Sequence, residues 1–530
     1  MAANVFWSAA LLLFCSFISR CLGFAYKIIL VRLLGPEGVG ITELVAPAYS
    51  FALVAASLGV PMALSRRLSQ EIGRRRYQLL PRLQNTSLLL LALLGGAVAL
   101  ACFLLSPSLL SHLTQEPRAL AYFRAITPAI FLVSVCSGFR AYFQATKQIG
   151  VIGLSQNIEQ LVRVLAGAAL VTWLLPRGLE AALIGVAAAT VAGELSGLLF
   201  IMGRYLRQRP RYAAPPNSPL PSPEPLPGFA QTSLSLLSFG APVTVQRFIS
   251  SAVLMLQAML IPQALLASGL SQAQATAAYG SFSGVALALI HLPGIFTATL
   301  AMALLPAIAE IENDRQQLCR RINQSLHITA AVSFPFMLLF YQYAEAICGW
   351  LFHAPQAAGP LRVLSLAGFF IYAQTALTSI LQGMGKLCAL LVSLLFSGGV
   401  FLLAIRLLIP PLGLAGAALA YLLFAAAACL VDVLALRRYA GLRLDLPNIC
   451  LKPSLAVLAA LLLPPVIKKT AGLCCPTLLS HMENFALLHL LLGALAAGVI
   501  YLAALCALGG FPSLLWRYIR PLLPRHTSSD

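Results

Sequence analysis

The sequence predicts an all-α polytopic membrane protein of about fourteen transmembrane helices, and three observations carry that prediction. Of 530 residues, 60% are hydrophobic and only 10% are charged, which is more apolar surface than the core of a soluble chain of this size can take in. The apolar residues come in blocks of about 20, the length that crosses a hydrocarbon core as a helix. A β-barrel would instead alternate apolar and polar residues in segments of about ten. Lys and Arg, finally, gather in every second loop.

In chain order the spans cover residues 6–34, 41–64, 84–107, 119–143, 151–175, 179–203, 239–266, 277–305, 326–350, 360–383, 387–409, 413–436, 453–468 and 484–508. The second loop holds Arg66, Arg67, Arg74, Arg75, Arg76 and Arg82, the fourth Lys147, and the sixth Arg204, Arg207, Arg209 and Arg211. The eighth holds Arg315, Arg320 and Arg321, the tenth Lys386, the twelfth Arg437, Arg438 and Arg443, and the C-terminal tail Arg517, Arg520 and Arg525. The odd-numbered loops hold little beyond Arg118, Arg177 and the pair Lys468-Lys469. By the positive-inside rule both termini are expected at the cytoplasmic face of the cell membrane. The net charge of +19 would point to nucleic acid on a soluble chain; here it is a topology signal, and no nucleic-acid partner is expected. The N-terminus has no basic n-region and no A-x-A site, so it does not read as a signal peptide. The twelve cysteines lie mostly in apolar segments without a CxxC, and the vicinal pair Cys474-Cys475 reads as incidental.

The sixth loop, "RQRPRYAAPPNSPLPSPEPLPGF", is the one low-complexity segment, and its Pro/Ser content favours an extended linker. It separates two groups of six spans that carry weak internal matches. "FQATKQ" (Phe143–Gln148) resembles "LQGMGK" (Leu381–Lys386), with the shared glutamines 238 apart (382 − 144 = 238). "PMAL" at Pro61 resembles "AMAL" at Ala301, and "PRGLEAA" at Pro176 resembles "PLGLAGA" at Pro411, at nearly the same offset. Six spans is an even number, so the two copies share one orientation, a parallel repeat about the membrane normal. The expected organisation is a six-helix lobe over 1–203, a cytoplasmic linker over 204–229, a second six-helix lobe over 230–445, and two additional helices with a tail over 446–530, with a cavity between the lobes.

Charges inside spans are the informative residues, because a cation near the bilayer centre costs roughly 2.5–3.5 kcal/mol on insertion scales. Arg20 and Lys27 are seven residues apart, two helical turns, and share a face. Gly23 between them permits close approach of another backbone or of a substrate. For Lys27 and Arg32, snorkelling from a tilted helix end is an equally open reading; Arg20 has apolar sequence on both sides. Glu159 and Arg163 form an i,i+4 pair of opposite charge, which reads as an internal ion pair or as part of a cavity. Arg247 holds a place in the second lobe like that of Arg20 in the first. Glu194 and Asp432 correspond at the same offset of 238 (432 − 194 = 238), as packing charges or as coupling and charge-balancing groups. The basic amphipathic stretch Ser65–Leu83 reads as lying on the anionic inner leaflet. There is no Walker A motif, no G-x-S-x-G and no HExxH, and His291 has no partner at ligand spacing. The chain therefore reads as a non-enzyme without metal or cofactor.

Ser19-Arg20, Gly23-Phe24 and Arg32 in the first span, within "ISRCLGFAYKIILVRLLGPEGVG" and "APAYSFALVAASLGVPMALSRRLSQE", resemble the stage V sporulation protein B branch of the multidrug/oligosaccharidyl-lipid/polysaccharide (MOP) exporter superfamily, a relative of lipid II flippases. That resemblance implies a V-shaped molecule opening alternately to each side, with a polyprenyl-pyrophosphate-linked saccharide as substrate. It carries Arg20 over as a substrate-binding residue. The family's second arginine falls at Tyr26, which makes Lys27 a substitute. The sodium site of some members is not carried over, because spans 7 and 11 contain no acid. Independently, a pyrophosphate is dianionic, and arginine pairs bidentately with phosphate and stays charged when buried. The expected substrate-binding set is therefore Arg20, Lys27, Arg247 and Arg163, with Glu159, Glu194 and Asp432 in coupling or charge balance. The expected function is flipping of a lipid II-like or other envelope saccharide unit, in spore cortex or cell-wall synthesis. Membrane lipids and cell-wall synthesis proteins are the expected partners. The alternatives are a multidrug exporter on the same fold, which would want an acidic cavity for organic cations, and a non-transporting scaffold of an envelope-synthesis complex.

Overall fold

A computed structural model of the chain describes residues 2–208 except 75, 78 and 115, then 228–294 with 297, 314–461 and 486–509. Most of the Pro-rich linker, the "AMAL" match, Lys468-Lys469, Cys474-Cys475 and the basic C-terminal tail lie outside these residues. Among the described residues every regular element is helical, as a chain in hydrocarbon requires if its backbone groups are to be satisfied internally. The helices are α1 (Ala2–Ser57), α2 (Val60–Gly73), α3 (Leu79–Leu113), α4 (Arg118–Ala145), α5 (Ile149–Leu174), α6 (Leu179–Gln208) and α7 (Phe229–Ala267). They continue as α8 (Gln272–His291), α9 (Arg315–Gln342), α10 (Ala358–Gly383), α11 (Leu387–Leu412), α12 (Leu414–Ala440), α13 (Pro447–Leu461) and α14 (Ala486–Ala507).

Eleven helical stretches among the described residues are long and apolar enough to cross a membrane, a smaller number than the fourteen expected. The first of them, Phe14–Gly73, is 60 residues long, or roughly 90 Å at helical rise, enough for two crossings. It is interrupted at the Leu58-Gly59 turn between α1 and α2 and, inside α1, at Gly35, with φ 69° and ψ 175°, a region open essentially to glycine alone. No atom crowds that position, so backbone conformation is what requires the glycine there. Near the C-terminal end, α13 (Pro447–Leu461) is an apolar helix shorter than these eleven.

The chain divides into two compact units, Met1–Gly284 and Val285–Asp530. This boundary falls within α8 and not at the linker, because α7 and the first half of α8 pack on α1. In the first unit α1 also packs on α3, α4 and α5, and α6 lies against α4 and α5. A cluster built on Leu64, Leu68, Leu91, Phe139, Phe143 and Ile201 fills its core. The amphipathic stretch beginning at Ser65 finds its use here. Leu68, Leu80 and Leu83 of this stretch are buried against protein, so the apolar face that suggested a lipid surface is a core face, and Arg66 and Arg67 are exposed. In the second unit α10 packs on α9 and α12, and α11 packs on α12. The α13 and α14 helices close against α9 through Phe334, Leu338, Ala456, Ala460 and Tyr501.

The internal repeat is written in the backbone. At the α4–α5 turn, Thr146 (φ −82°, ψ 6°), Lys147 (φ 59°) and Gln148 (φ −92°, ψ 54°) follow each other. At the α10–α11 turn, Met384 (φ −80°, ψ 0°), Gly385 (φ 68°) and Lys386 (φ −85°, ψ 56°) do the same. The hydrogen bonds match too: the Gln148 N–H donates to the Phe143 carbonyl at 2.8 Å, and the Lys386 N–H to that of Leu381 at 2.9 Å.

Candidate functional site

The charged side chains of the first unit fall into groups with different electrostatic fates. Arg20 in α1 and Arg247 in α7 are exposed, and among the described residues neither forms an ion pair. Gly23, one turn beyond Arg20, lies against the Gln160 side chain of α5, so its close approach serves helix packing. Tyr26 is buried, its hydroxyl against Gly167.

Lys27 is engaged. Its Nζ lies 3.0 Å from Oε1 of Glu43, in the second half of α1. The other oxygen of Glu43 accepts a hydrogen bond of 2.7 Å from the Ser283 hydroxyl of α8. This carboxylate was not among the residues expected from sequence. It is the counter-ion that makes a cation in that helix tolerable, in place of the snorkelling considered above.

Arg163 lies in a closed network. Its Nη2 donates to Glu159 at 2.8 Å and to Glu194 at 2.7 Å, and Arg140 Nη2 donates to the second oxygen of Glu159 at 2.7 Å. Two arginines and two glutamates therefore neutralise one another across α4, α5 and α6. Gly193 and Gly197 of α6 allow this, since a methyl at either would meet the Glu159–Arg163 turn of α5. The Nε atoms of both arginines and the hydroxyls of Tyr26 and Tyr49 are buried without a hydrogen-bond partner among the described residues. Arg140 also escaped the sequence expectations, although it interrupts the apolar run "VSVCSGFRAYF" as plainly as Arg20 interrupts its own.

A further network sits beside the Gly35 break of α1. Arg118 donates to Glu37 at 2.6 Å and to Glu116 at 2.6 Å, and the Thr276 hydroxyl of α8 reaches Glu116 at 3.5 Å. Next to it the α1 and α8 backbones touch. A Cβ on Gly280 would fall on the Pro36 carbonyl, and one on Gly40 would fall on the Thr276 carbonyl.

In the second unit the offset of 238 seen at the matching turns carries Arg140, Glu159, Arg163 and Glu194 onto Thr378, Ser397, Phe401 and Asp432. Only the last charge survives. Asp432 is 1% exposed, and its Oδ2 accepts from Thr378 at 3.4 Å. The neighbouring Ser393 hydroxyl lies 3.2 Å from the Ala428 carbonyl and also within reach of the Asp432 carboxyl. Among the described residues no cation pairs with Asp432, and no group of three His, Cys, Asp or Glu is placed to hold a metal ion.

The family model described as "Polysaccharide biosynthesis protein" matches residues 3–312. Stage V sporulation protein B of Bacillus subtilis (strain 168) is 28% identical over 433 residues, which cover 79% of this chain and 81% of that protein. Among solved structures, the lipid II flippase MurJ in an inward closed conformation aligns with a TM-score of 0.66 at 13% identity, over 96% of this chain and 100% of that one. An inward-facing multidrug resistance MATE family transporter of the MOP superfamily aligns with a TM-score of 0.65 at 16% identity, over 80% and 94%. At such identities the structural likeness speaks for the fold. These named activities belong to a flippase and a transporter, and none is an enzyme.

Proposed function

The chain belongs to the polysaccharide biosynthesis protein family, with the helical membrane fold of MOP-superfamily transporters, and from that premise we propose that it flips a polyprenyl-pyrophosphate-linked saccharide across the cell membrane by alternating access. The observation that carries this reading is the pair Arg20 and Arg247. Each is an exposed cation inside an apolar helix, and among the described residues no acid neutralises either. A membrane helix retains such a charge where it faces water, a partner charge or an anionic ligand. A pyrophosphate head group supplies two negative charges and the bidentate geometry that guanidinium prefers. Lys27, partly exposed beside Glu43, lies two turns along the same helix and adds a third cation.

In this reading the head group passes between two six-helix lobes, residues 1–203 and 230–445, while the polyprenyl tail stays in lipid. Both termini are cytoplasmic, and the saccharide is a peptidoglycan-type or other envelope unit. The matching α4–α5 and α10–α11 turns support the two-lobe repeat. Arg163 is not retained as a primary ligand, because Glu159 and Glu194 already share its guanidinium.

The test is flipping of a fluorescent polyprenyl-pyrophosphate saccharide in proteoliposomes. Wild type should translocate it, while Arg20→Ala and Arg247→Ala insert and elute normally but lose at least tenfold in rate. Equal rates in all three would make the arginines structural. Translocation of organic cations in place of the lipid-linked saccharide would favour the multidrug reading.

A further inference from the structure

We infer that Glu43 is a displaceable counter-ion whose release by the substrate's head group unlocks α8 from α1. This inference rests on the reading that Lys27 meets an anionic head group. The geometry that points to it is the bridging use of one carboxylate. Oε1 of Glu43 holds Lys27 at 3.0 Å, and Oε2 holds Ser283 at 2.7 Å. One arm neutralises a candidate substrate ligand, and the other ties the second half of α1 to α8. Both charged side chains keep an accessible edge, 28% for Lys27 and 21% for Glu43, so a ligand can reach the pair.

Next to this tie, α1 and α8 meet through glycine backbones at Gly40 and Gly280. Such a contact offers little side-chain surface of its own to hold it shut. Among the described residues Glu43 to Ser283 is the polar tie directly across it, while Thr276 reaches Glu116 of the α3–α4 loop at 3.5 Å, which is linked to Glu37 of α1 only through Arg118. A phosphate that takes the Lys27 ammonium competes directly with Glu43, since two anions on one ammonium repel each other. A carboxylate stripped of its cation in this partly buried place is costly to leave there, so it swings toward water and gives up Ser283. Head-group binding at Lys27 and loosening of α8 are thereby one event, and the coupling free energy resides in one side chain.

The test compares the full chain with Glu43→Gln and Ser283→Ala. Undecaprenyl pyrophosphate serves as the probe and uncharged undecaprenol as the control. Two quantities are read: lipid affinity by native mass spectrometry, and hydrogen exchange of the 272–284 backbone. Wild type should bind the pyrophosphate lipid in preference to undecaprenol and exchange severalfold faster over 272–284 when it does. Glu43→Gln keeps an acceptor for Ser283 but leaves Lys27 uncompensated. It should bind the pyrophosphate lipid about tenfold tighter, within the usual range of coupling between sites, while exchange over 272–284 no longer responds. Ser283→Ala should exchange faster over 272–284 before any lipid is added. If wild type binds but Glu43→Gln shows the same affinity and the same exchange response, or Ser283→Ala exchanges like wild type, the Glu43 trigger is refuted while the anionic-substrate reading stands. Equal binding of the two lipids by wild type would remove the anionic-substrate reading itself, and the trigger with it.

Discussion

Arg163 shares one nitrogen between two carboxylates, and Arg140 closes the set from the next helix. Removing one member leaves its partner charged and buried, which typically costs about 3–5 kcal/mol. Arg163→Ala should therefore lower the melting temperature in detergent by many degrees. Asp432 sits at the repeat-related place of Glu194 and has no such debt. Asp432→Asn keeps an acceptor for Thr378 and removes a charge that no cation among the described residues pairs with, so melting at neutral pH should stay at or above the wild-type value. A clear loss would reveal a cation held there. The sequence made these positions visible because each is a charge inside an apolar run, and the offset between Glu194 and Asp432 is readable by subtraction. Glu43 was not legible in that way. It lies just past the Gly35 break, near the start of the second crossing, where an acid passes for a helix-end residue. Its meaning comes from Lys27, sixteen positions earlier (43 − 27 = 16), and only the reversal of the chain at Gly35 brings the two together.

Elements show the repeat more sharply than residues do. The α4–α5 and α10–α11 turns share dihedrals and hydrogen bonds, yet the left-handed position is Lys147 in one and Gly385 in the other. An L-residue there costs roughly 1–2 kcal/mol relative to glycine. Lys147→Gly should therefore stabilise the protein by about 1 kcal/mol, seen as a higher melting temperature, and Gly385→Lys should destabilise it by a similar amount. The matches "FQATKQ" and "LQGMGK" were legible as letters, while the turn that they encode needed coordinates. α2 illustrates the opposite limit. Its apolar period is that of an amphipathic helix, but periodicity does not tell a lipid surface from a protein core, and Leu68 faces the core. At the cytoplasmic-side connector after α12, as the loop charges assign it, hydrogen bonds from Asn448 hold the Asp445 carboxyl below its ordinary pKa, and His327 also favours the charged form. That tie is complete above the ordinary carboxylate range and weakens as pH falls through the lowered value.

For the molecule as a whole, the apolar blocks gave the helices, and the alternation of basic loops gave an orientation that the fold alone does not supply. A reporter fused after Asp530 tests it: green fluorescent protein should fluoresce there and alkaline phosphatase should be inactive, with the reverse result overturning the positive-inside assignment. The division into compact units was less legible. Sequence put the lobes on either side of the Pro-rich linker, and packing places α7 and half of α8 with the first compact unit, because which helices touch depends on packing that loop composition does not encode. Gly280 turns that dependence into a tool. Its missing side chain is what lets α8 seat on the Pro36 carbonyl and on Gly40, and no charge is involved. Alanine there is a one-methyl spacer that forbids this arrangement while Arg20, Lys27 and Arg247 keep their side chains. Imaged in nanodiscs, Gly280→Ala should populate particles in which the two helices stand apart, the arrangement that the proposed alternating access needs at one point of its cycle.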